Sequence, residues 1–428
     1  MVFESSKLSS NMDVKRPKII FLTNMLNCGG AERSLLEVFR ALNRQRFDPI
    51  VWRLDPTNMY PEYFTAFDST KVLPRLPQNL KSKIRIGMCR SRLPYYLRKA
   101  QITCFIEDGL RLFDSLKQLM KKNSGPVVLV SSQLNMNTRA SLLQWLCNYK
   151  VPVVFIEHNE PYLRYKNVET PEVRELAWSR IRKIYPRATH IITVSDAGKK
   201  SLVNRFGIKK KQVSSIPNPV DVKRIRHYLK LQPPDHPFYR GKTPVLVCVA
   251  RFHPIKNHAM LLRSFAIVRQ KTRLKLALVG LGLLKDTIQR TIAEMGLEDD
   301  VAVINFDPEP FGYIAHANLS ILTSYSEGQG LAVIESLACG IPVVCTRWKG
   351  VGELIKEGVN GIICDMNDAA LASGILAGLK LAKSKTRQTA ATKSAEKFNT
   401  TNILPKYEKL LSQIALNAHG NQEMSCAH

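Results

Sequence analysis

Residues 319–345 read Leu319-Ser-Ile-Leu-Thr-Ser-Tyr-Ser-Glu-Gly-Gln-Gly-Leu-Ala-Val-Ile-Glu-Ser-Leu-Ala-Cys-Gly-Ile-Pro-Val-Val-Cys345. Leu319–Thr323 is a short apolar run of strand length, closed by Glu327 after a polar turn. Gly328-Gln-Gly330 makes a second turn, Leu331 to Cys339 has helical spacing and is stopped by Gly340, and Pro342–Cys345 starts another strand. Strand, helix and strand in this order form a βαβ unit, whose two strands must lie parallel. The same alternation runs outward in both directions. Expected strands are Lys18–Met25, Pro49–Leu54, Val127–Ser131, Val151–Glu157, His190–Val194 and Gln212–Ile216 in the first half. Val245–Ala250, Leu274–Val279, Val301–Phe306, Leu319–Thr323, Pro342–Cys345 and Gly361–Cys364 follow in the second.

At 428 residues the chain exceeds the size at which a single core stops growing, so two domains are expected. A Pro-rich polar stretch, Leu231-Gln-Pro-Pro-Asp-His-Pro-Phe-Tyr-Arg-Gly241, interrupts the alternation between them. The fold class is therefore α/β: two Rossmann-like, doubly wound domains facing a cleft. Residues 1–225 form the first, 226–400 the second, and 401–428 a C-terminal helix and tail that packs back on the first. Ligands of such sheets sit outside the carboxyl ends of the strands, so residues at strand ends are the candidates for chemistry.

No apolar run approaches the ~18 to 20 residues that cross a bilayer. The polar N-terminus, MVFESSKLSSNMDVKRPK, lacks the pattern of a secretory signal, so a cytoplasmic protein is expected. Nine scattered cysteines with no C-x-x-C pair read as small buried hydrophobes in a reducing compartment. With 63 Lys and Arg against 35 Asp and Glu, the formal charge is +28, which calls for an anionic partner. Residues 71–122 hold 13 of these cations against three acids, interleaved with Leu93, Tyr95, Tyr96, Leu97, Phe105 and Phe113. That mixture suits an anionic membrane surface, with apolar groups inserted below the headgroups; a solvated helical face is the alternative.

Four strand ends carry candidate groups. Gly29-Gly30, after the first strand, lets backbone N–H groups at a helix start approach an anion or a sugar hydroxyl, or else makes a plain tight turn. His158 and Asn159 follow the Val151–Glu157 strand, where a ring nitrogen can meet a sugar hydroxyl or serve the core. Arg251 and Lys256 lie on one strand–loop–helix turn. Two cations there match the charge that grows on a diphosphate leaving group and remove the need for a metal; a solvated basic loop is the alternative. In the opening stretch, Gly330 and Leu331 present N–H groups at a helix start, a phosphate site. Glu335, one turn on, has the paired acceptor oxygens that a ribose diol needs, unless it is a surface acid. No Asp-x-Asp metal clamp is present.

With these residues assembled, the chain resembles the family 4 glycosyltransferases, retaining enzymes of the GT-B fold. The resemblance rests on two glutamates with seven residues between them, Glu327 and Glu335, in an E-G-x-G-L…E-x-L-A-C-G-x-P-V-V setting. It extends to Gly29-Gly30-Ala31-Glu32, His158-Asn159, Val194-Ser195, Ile216-Pro-Asn218, Arg251…Lys256-Asn257-His258, Leu278-Val-Gly-x-Gly282 and Gly352-Glu353…Asn360-Gly361, across residues 19 to 365.

The resemblance implies that Arg251, Lys256, Gly330 and Leu331 hold the donor diphosphate and Glu335 the ribose. Glu327 would contact the transferred sugar, His158 would line its pocket, and Gly29-Gly30 would meet diphosphate or sugar from the opposite domain. It further implies transfer of a hexose-type sugar from a UDP- or GDP-sugar to a glycan or lipid-linked acceptor, of the bacterial envelope-polysaccharide type. Retention of configuration, no metal or other cofactor, and a peripheral place on the inner membrane face belong to the same expectation. Nucleic acid is not expected as a partner. The competing reading is a non-catalytic basic protein of this fold that binds nucleic acid or anionic membrane. Two departures stand out: Gln329 occupies a place where the family often has an aromatic or apolar residue, and Pro219 follows Asn218 where Gly is common.

Overall fold

A computed structural model describes residues 16–23, 29–54, 70–72, 103–122, 125–166 and 170–426. The first sheet holds β1 (Lys18–Thr23), β2 (Asp48–Arg53), β3 (Thr70–Val72), β4 (Val127–Ser132), β5 (Val153–Glu157), β6 (His190–Thr193) and β7 (Val213–Ser215). The second holds β8 (Val245–Val249), β9 (Lys275–Val279), β10 (Val301–Ile304), β11 (Leu319–Leu322), β12 (Val343–Thr346) and β13 (Gly361–Cys364). Their orders are β3-β2-β1-β4-β5-β6-β7 and β10-β9-β8-β11-β12-β13, with the described pairings parallel. Each sheet thus reverses direction once, between β1 and β4 and between β8 and β11. These are the topological switch points, where a doubly wound sheet opens a crevice.

Alternation along the strands supplies both faces of the first sheet. Ile20, Leu22, Leu129, Val153 and Phe155 point to one core, while Ile19, Phe21, Val128, Val130 and Val154 point to the other. The second core receives the C-terminal helix Thr400–Cys426, which buries Ile403, Tyr407, Leu411 and Ile414 at helical spacing. Tyr407 is fully buried there.

The chain crosses between domains twice, and the crossings are stitched together. The Val220 N–H donates to the Phe398 carbonyl at 2.9 Å and the Thr400 N–H to the Val220 carbonyl at 3.0 Å. Val220, Val222 and Ile225 lie in the core of the second domain, so the crossover falls at 218–220, a little before the expected 225.

The basic segment 71–122 divides. Residues 73–102, with Leu93, Tyr95, Tyr96 and Leu97, lie outside the described residues. From Thr103 to Lys122 the chain is a helix that buries Leu112 and Leu116 and packs Phe113, Leu119 and Met120 against the first core. Phe113 is therefore a core residue, which corrects its expected place at a membrane surface. Among the described cysteines, Cys248, Cys339, Cys345 and Cys364 are buried thiols, and burial pushes Cys248 and Cys339 up to about 12.

Candidate active site

The two loops that leave the second domain's switch point are tied to one another. After β8, the His253 ring accepts from the Ile255 N–H, and Asn257, in the left-handed region at φ +50°, caps the helix His258–Arg269. After β11, the Tyr325 N–H donates to the Ile255 carbonyl at 2.9 Å and the Thr323 hydroxyl to the Lys256 carbonyl at 2.7 Å. This stitching brings Lys256 Nζ to 2.5 Å from Glu327 Oε1, which also accepts from the Ser324 hydroxyl. Both side chains are largely buried. Arg251 is exposed on the same turn, and its charge reaches Glu32 of the other domain.

The helix Leu331–Ala338 starts at Gly330, whose φ of +75° is left-handed backbone that glycine adopts without strain. One turn in, the Glu335 carboxylate is 4% exposed and accepts from Arg33 Nη2 at 2.6 Å. Arg33 belongs to the helix Gly30–Ala41 of the first domain. That helix begins opposite the other one: a methyl group at Gly30 would lie 3.3 Å from Leu331 Cδ1. Gly30, Leu331 and Glu335, far apart in sequence, share one cleft. An open pocket lies beside them, lined by Arg33, Ser34, Glu37, Phe311, Leu331 and Glu335 together with the crossover residues.

Across the cleft, β5 delivers His158 and Asn159. A buried chain of hydrogen bonds fixes this turn: Glu157 Oε1 accepts from the Asn159 N–H at 3.1 Å and Oε2 from the Tyr185 hydroxyl at 2.5 Å. The Tyr185 oxygen in turn accepts from Asn137 Nδ2 at 3.1 Å. Desolvation pushes the Glu157 carboxyl above its ordinary range, with Tyr185 as the strongest opposing influence. The backbone of His158 and Asn159 meets Gly328 directly. A side-chain carbon at Gly328 would overlap the His158 carbonyl and lie 2.9 Å from Asn159 Cα.

His158 itself is buried, and neither ring nitrogen has a hydrogen-bond partner. Burial pushes its pKa down to about 4, opposed weakly by nearby Asn218, so the ring is neutral near pH 7. Gln329 does not spend its carbonyl on a ligand: Oε1 accepts from the Asn218 N–H at 2.7 Å, and only Nε2 is without a partner. The departure at 329 thus ties the loop to the crossover. At Gly29, a Cβ would lie 2.5 Å from Glu32 Oε2, and Glu32 also accepts from Gln133 Nε2. Gly29 accordingly faces a carboxylate of the chain itself, a setting better matched to a hydroxyl than to phosphate.

Sequence reading missed the residues that partner the site's carboxylates, Arg33 and Gln133. Arg33 stands in the Gly29-Gly30-Ala31-Glu32-Arg33 run, and its position one turn into a helix behind a Gly pair was the available signal. Nothing local marks Gln133, which adopts φ +69° at the end of β4. Among the described residues no three His, Cys, Asp or Glu side chains gather as metal ligands.

Two family models divide the chain between them. One described as Glycosyltransferase Family 4 matches residues 28–224, and one described as Glycosyl transferases group 1 matches residues 235–396. The chain belongs to the family 4 glycosyltransferases. An N-acetylgalactosamine-N,N'-diacetylbacillosaminyl-diphospho-undecaprenol 4-alpha-N-acetylgalactosaminyltransferase of Campylobacter jejuni is 31% identical over 237 residues, 55% of this chain and 62% of its own. A GDP-mannose-dependent alpha-(1-6)-phosphatidylinositol monomannoside mannosyltransferase of Mycolicibacterium smegmatis is 30% identical over 138 residues, 30% of this chain and 36% of its own. The chain spans only about a third to just under two thirds of the length of these curated relatives. Anabaena HepE, solved with UDP-glucose, superposes with a TM-score of 0.69 at 18% identity over 92% of this chain and 99% of its own. Sucrose-phosphate synthase of Thermosynechococcus elongatus gives 0.70 at 20% identity over 93% and 99%. At such identities these likenesses speak for the shared GT-B fold.

The His158 environment of this glycosyltransferase sets a pH dependence. A base whose folded pKa lies below its unfolded value leaves the unfolded chain holding more protons between the two, so stability falls as pH drops from 6.5 toward about 4. His158→Gln removes that contribution. Its unfolding free energy, followed by urea titration, should fall less over this interval than that of the unsubstituted protein, by about 3 kcal/mol at most. Identical slopes would contradict the neutral buried ring.

Proposed function

We propose that this protein moves a hexose-type sugar from a UDP- or GDP-sugar to a glycan or lipid-linked acceptor, with retention at the anomeric carbon and without a metal. The observation that carries the reading is a cation–carboxylate pair on each side of the Gly328-Gln-Gly330 turn, Lys256 with Glu327 before it and Arg33 with Glu335 after it. The donor diphosphate lies near Arg251, Lys256 and the helix start at Gly330 and Leu331. The ribose lies at Glu335. Glu327 and His158 receive the sugar, and the Gly29-Gly30 turn closes the pocket from the first domain.

In the reaction, the bond from the anomeric carbon to the diphosphate oxygen breaks while the acceptor oxygen bonds to the same face of that carbon. The acceptor proton passes to the departing phosphate oxygen, so a nucleoside diphosphate leaves. Negative charge grows on that oxygen. Lys256 has three N–H donors, so it can serve it while one remains on Glu327, and Arg251 adds a second cation. The neutral His158 ring offers one donor and one acceptor, the complement of a sugar hydroxyl. Retention is supported by the two-glutamate resemblance.

The Campylobacter and Mycolicibacterium relatives are named for diphospho-undecaprenol and phosphatidylinositol, which supports a lipid-linked acceptor. The charge of +28 supports a peripheral place on an anionic, cytoplasmic membrane face. No described helix is long and apolar enough to cross a membrane.

Two measurements test these points. With a panel of UDP- and GDP-sugars, the purified protein should hydrolyse or transfer at least one donor, and Glu327→Ala should lower kcat/KM by about 100-fold or more, roughly 3 kcal/mol. Silence across the panel, or full activity in Glu327→Ala, would sink the assignment. In flotation, the protein should rise with phosphatidylglycerol vesicles at low salt and be released as salt is raised. Failure to float at low salt would remove the membrane from the account.

A further inference from the structure

The Glu335 carboxylate is met by a cation from the opposite domain. Glu335 is 4% exposed, and its Oε1 accepts from Arg33 Nη2 at 2.6 Å. A buried carboxylate without a partner is costly, and a guanidinium that meets it also fixes its rotation. Arg33 is itself fixed: its guanidinium lies 5.6 Å from the centre of the Phe311 ring, and its charge opposes the effect of burial on Asp307. Arg33, Phe311 and Glu335 all line the same open pocket between the domains. Arg33 and Glu37 form one wall, one helical turn apart, and Leu331 and Glu335 form the other at the same spacing.

We infer that Arg33 is the positioning residue for Glu335, turning its carboxylate so that it accepts from both ribose hydroxyls of the donor once the two domains have met. The inference rests on the proposed reading of Glu335 as the ribose residue. An ionised carboxylate has about four lone-pair sites on two oxygens, so contact with one guanidinium nitrogen leaves room for two hydroxyls. Arg33 therefore stays in place when the nucleotide enters. Because Arg33 and Glu335 stand on different domains, separated by 302 positions in the chain, ribose recognition is complete only in the closed cleft. An open cleft holds a carboxylate with no fixed rotation and discriminates poorly.

The test uses the full chain and calorimetric titration with UDP and GDP, each compared with its 2′,3′-dideoxy form. The unsubstituted protein should prefer the ribonucleotide by about tenfold or more, the worth of hydrogen bonds to a charged group. In Arg33→Gln that preference should shrink to about twofold or less, while affinity for the dideoxynucleotide stays within about twofold. Arg33→Lys, which keeps the charge and loses the planar fork, should fall between the two. It also serves if Arg33→Gln does not fold. Equal loss of affinity for both nucleotides, or an undiminished preference in both variants, overturns the inference and leaves the proposed function standing. An unsubstituted protein that binds a nucleotide without regard to its ribose hydroxyls overturns the assignment of Glu335, and the inference with it.

Discussion

The contact on which the cleft depends is backbone against backbone, where the Gly328 turn of the second domain rests on the His158 and Asn159 peptides of the first. No side chain fits between them. Around that contact, three more ties join the domains: Glu160 with Lys349 at 3.3 Å, Glu335 with Arg33, and Gln329 with the Asn218 N–H at the crossover. Together they set the two switch points face to face. Residues at the ends of β1, β4 and β5 then look across at those at the ends of β8 and β11.

The acids of the cleft are partnered within the chain itself. Glu327, Glu335 and Glu32 each have a partner before any substrate arrives: Lys256, Arg33 and Gln133. Buried acids need such partners, and donors already held in place lose little freedom when a substrate takes up the remaining capacity. The unpartnered buried atoms tell the complementary story. His158 and Gln329 Nε2 lack hydrogen bonds at the very junction where the domains meet, and a polar ligand would satisfy them.

Much of this was legible in the sequence. The β-branched runs disclosed the strands because a doubly wound sheet buries both faces, so its strands are apolar throughout. β3 escaped because Thr70-Lys-Val72 is three residues long with a cation at its centre. Glu327 and Glu335 could be named because they flank a glycine turn that follows a strand, and Lys256 because it follows Arg251 on the loop after another strand. Arg33 could not be paired with Glu335, since nothing in a linear pattern links positions so distant. Phe113 was misread for a related reason. Periodicity shows that the helix Thr103–Lys122 has an apolar face, but only packing shows that Leu112, Phe113 and Leu116 turn it to the protein's own core.

The central claim is that the nucleotide site exists because the domains close upon Gly328. Calorimetric titration of UDP and GDP into the Gly328→Ala protein tests it most directly. The backbone there does not need glycine's left-handed freedom, so each domain should fold as before by circular dichroism, yet the added methyl group cannot coexist with the His158 carbonyl. The account predicts that affinity for the preferred nucleoside diphosphate falls by about tenfold or more, the signature of a site whose closed form has become costly. Affinity equal to that of the unsubstituted protein would contradict it.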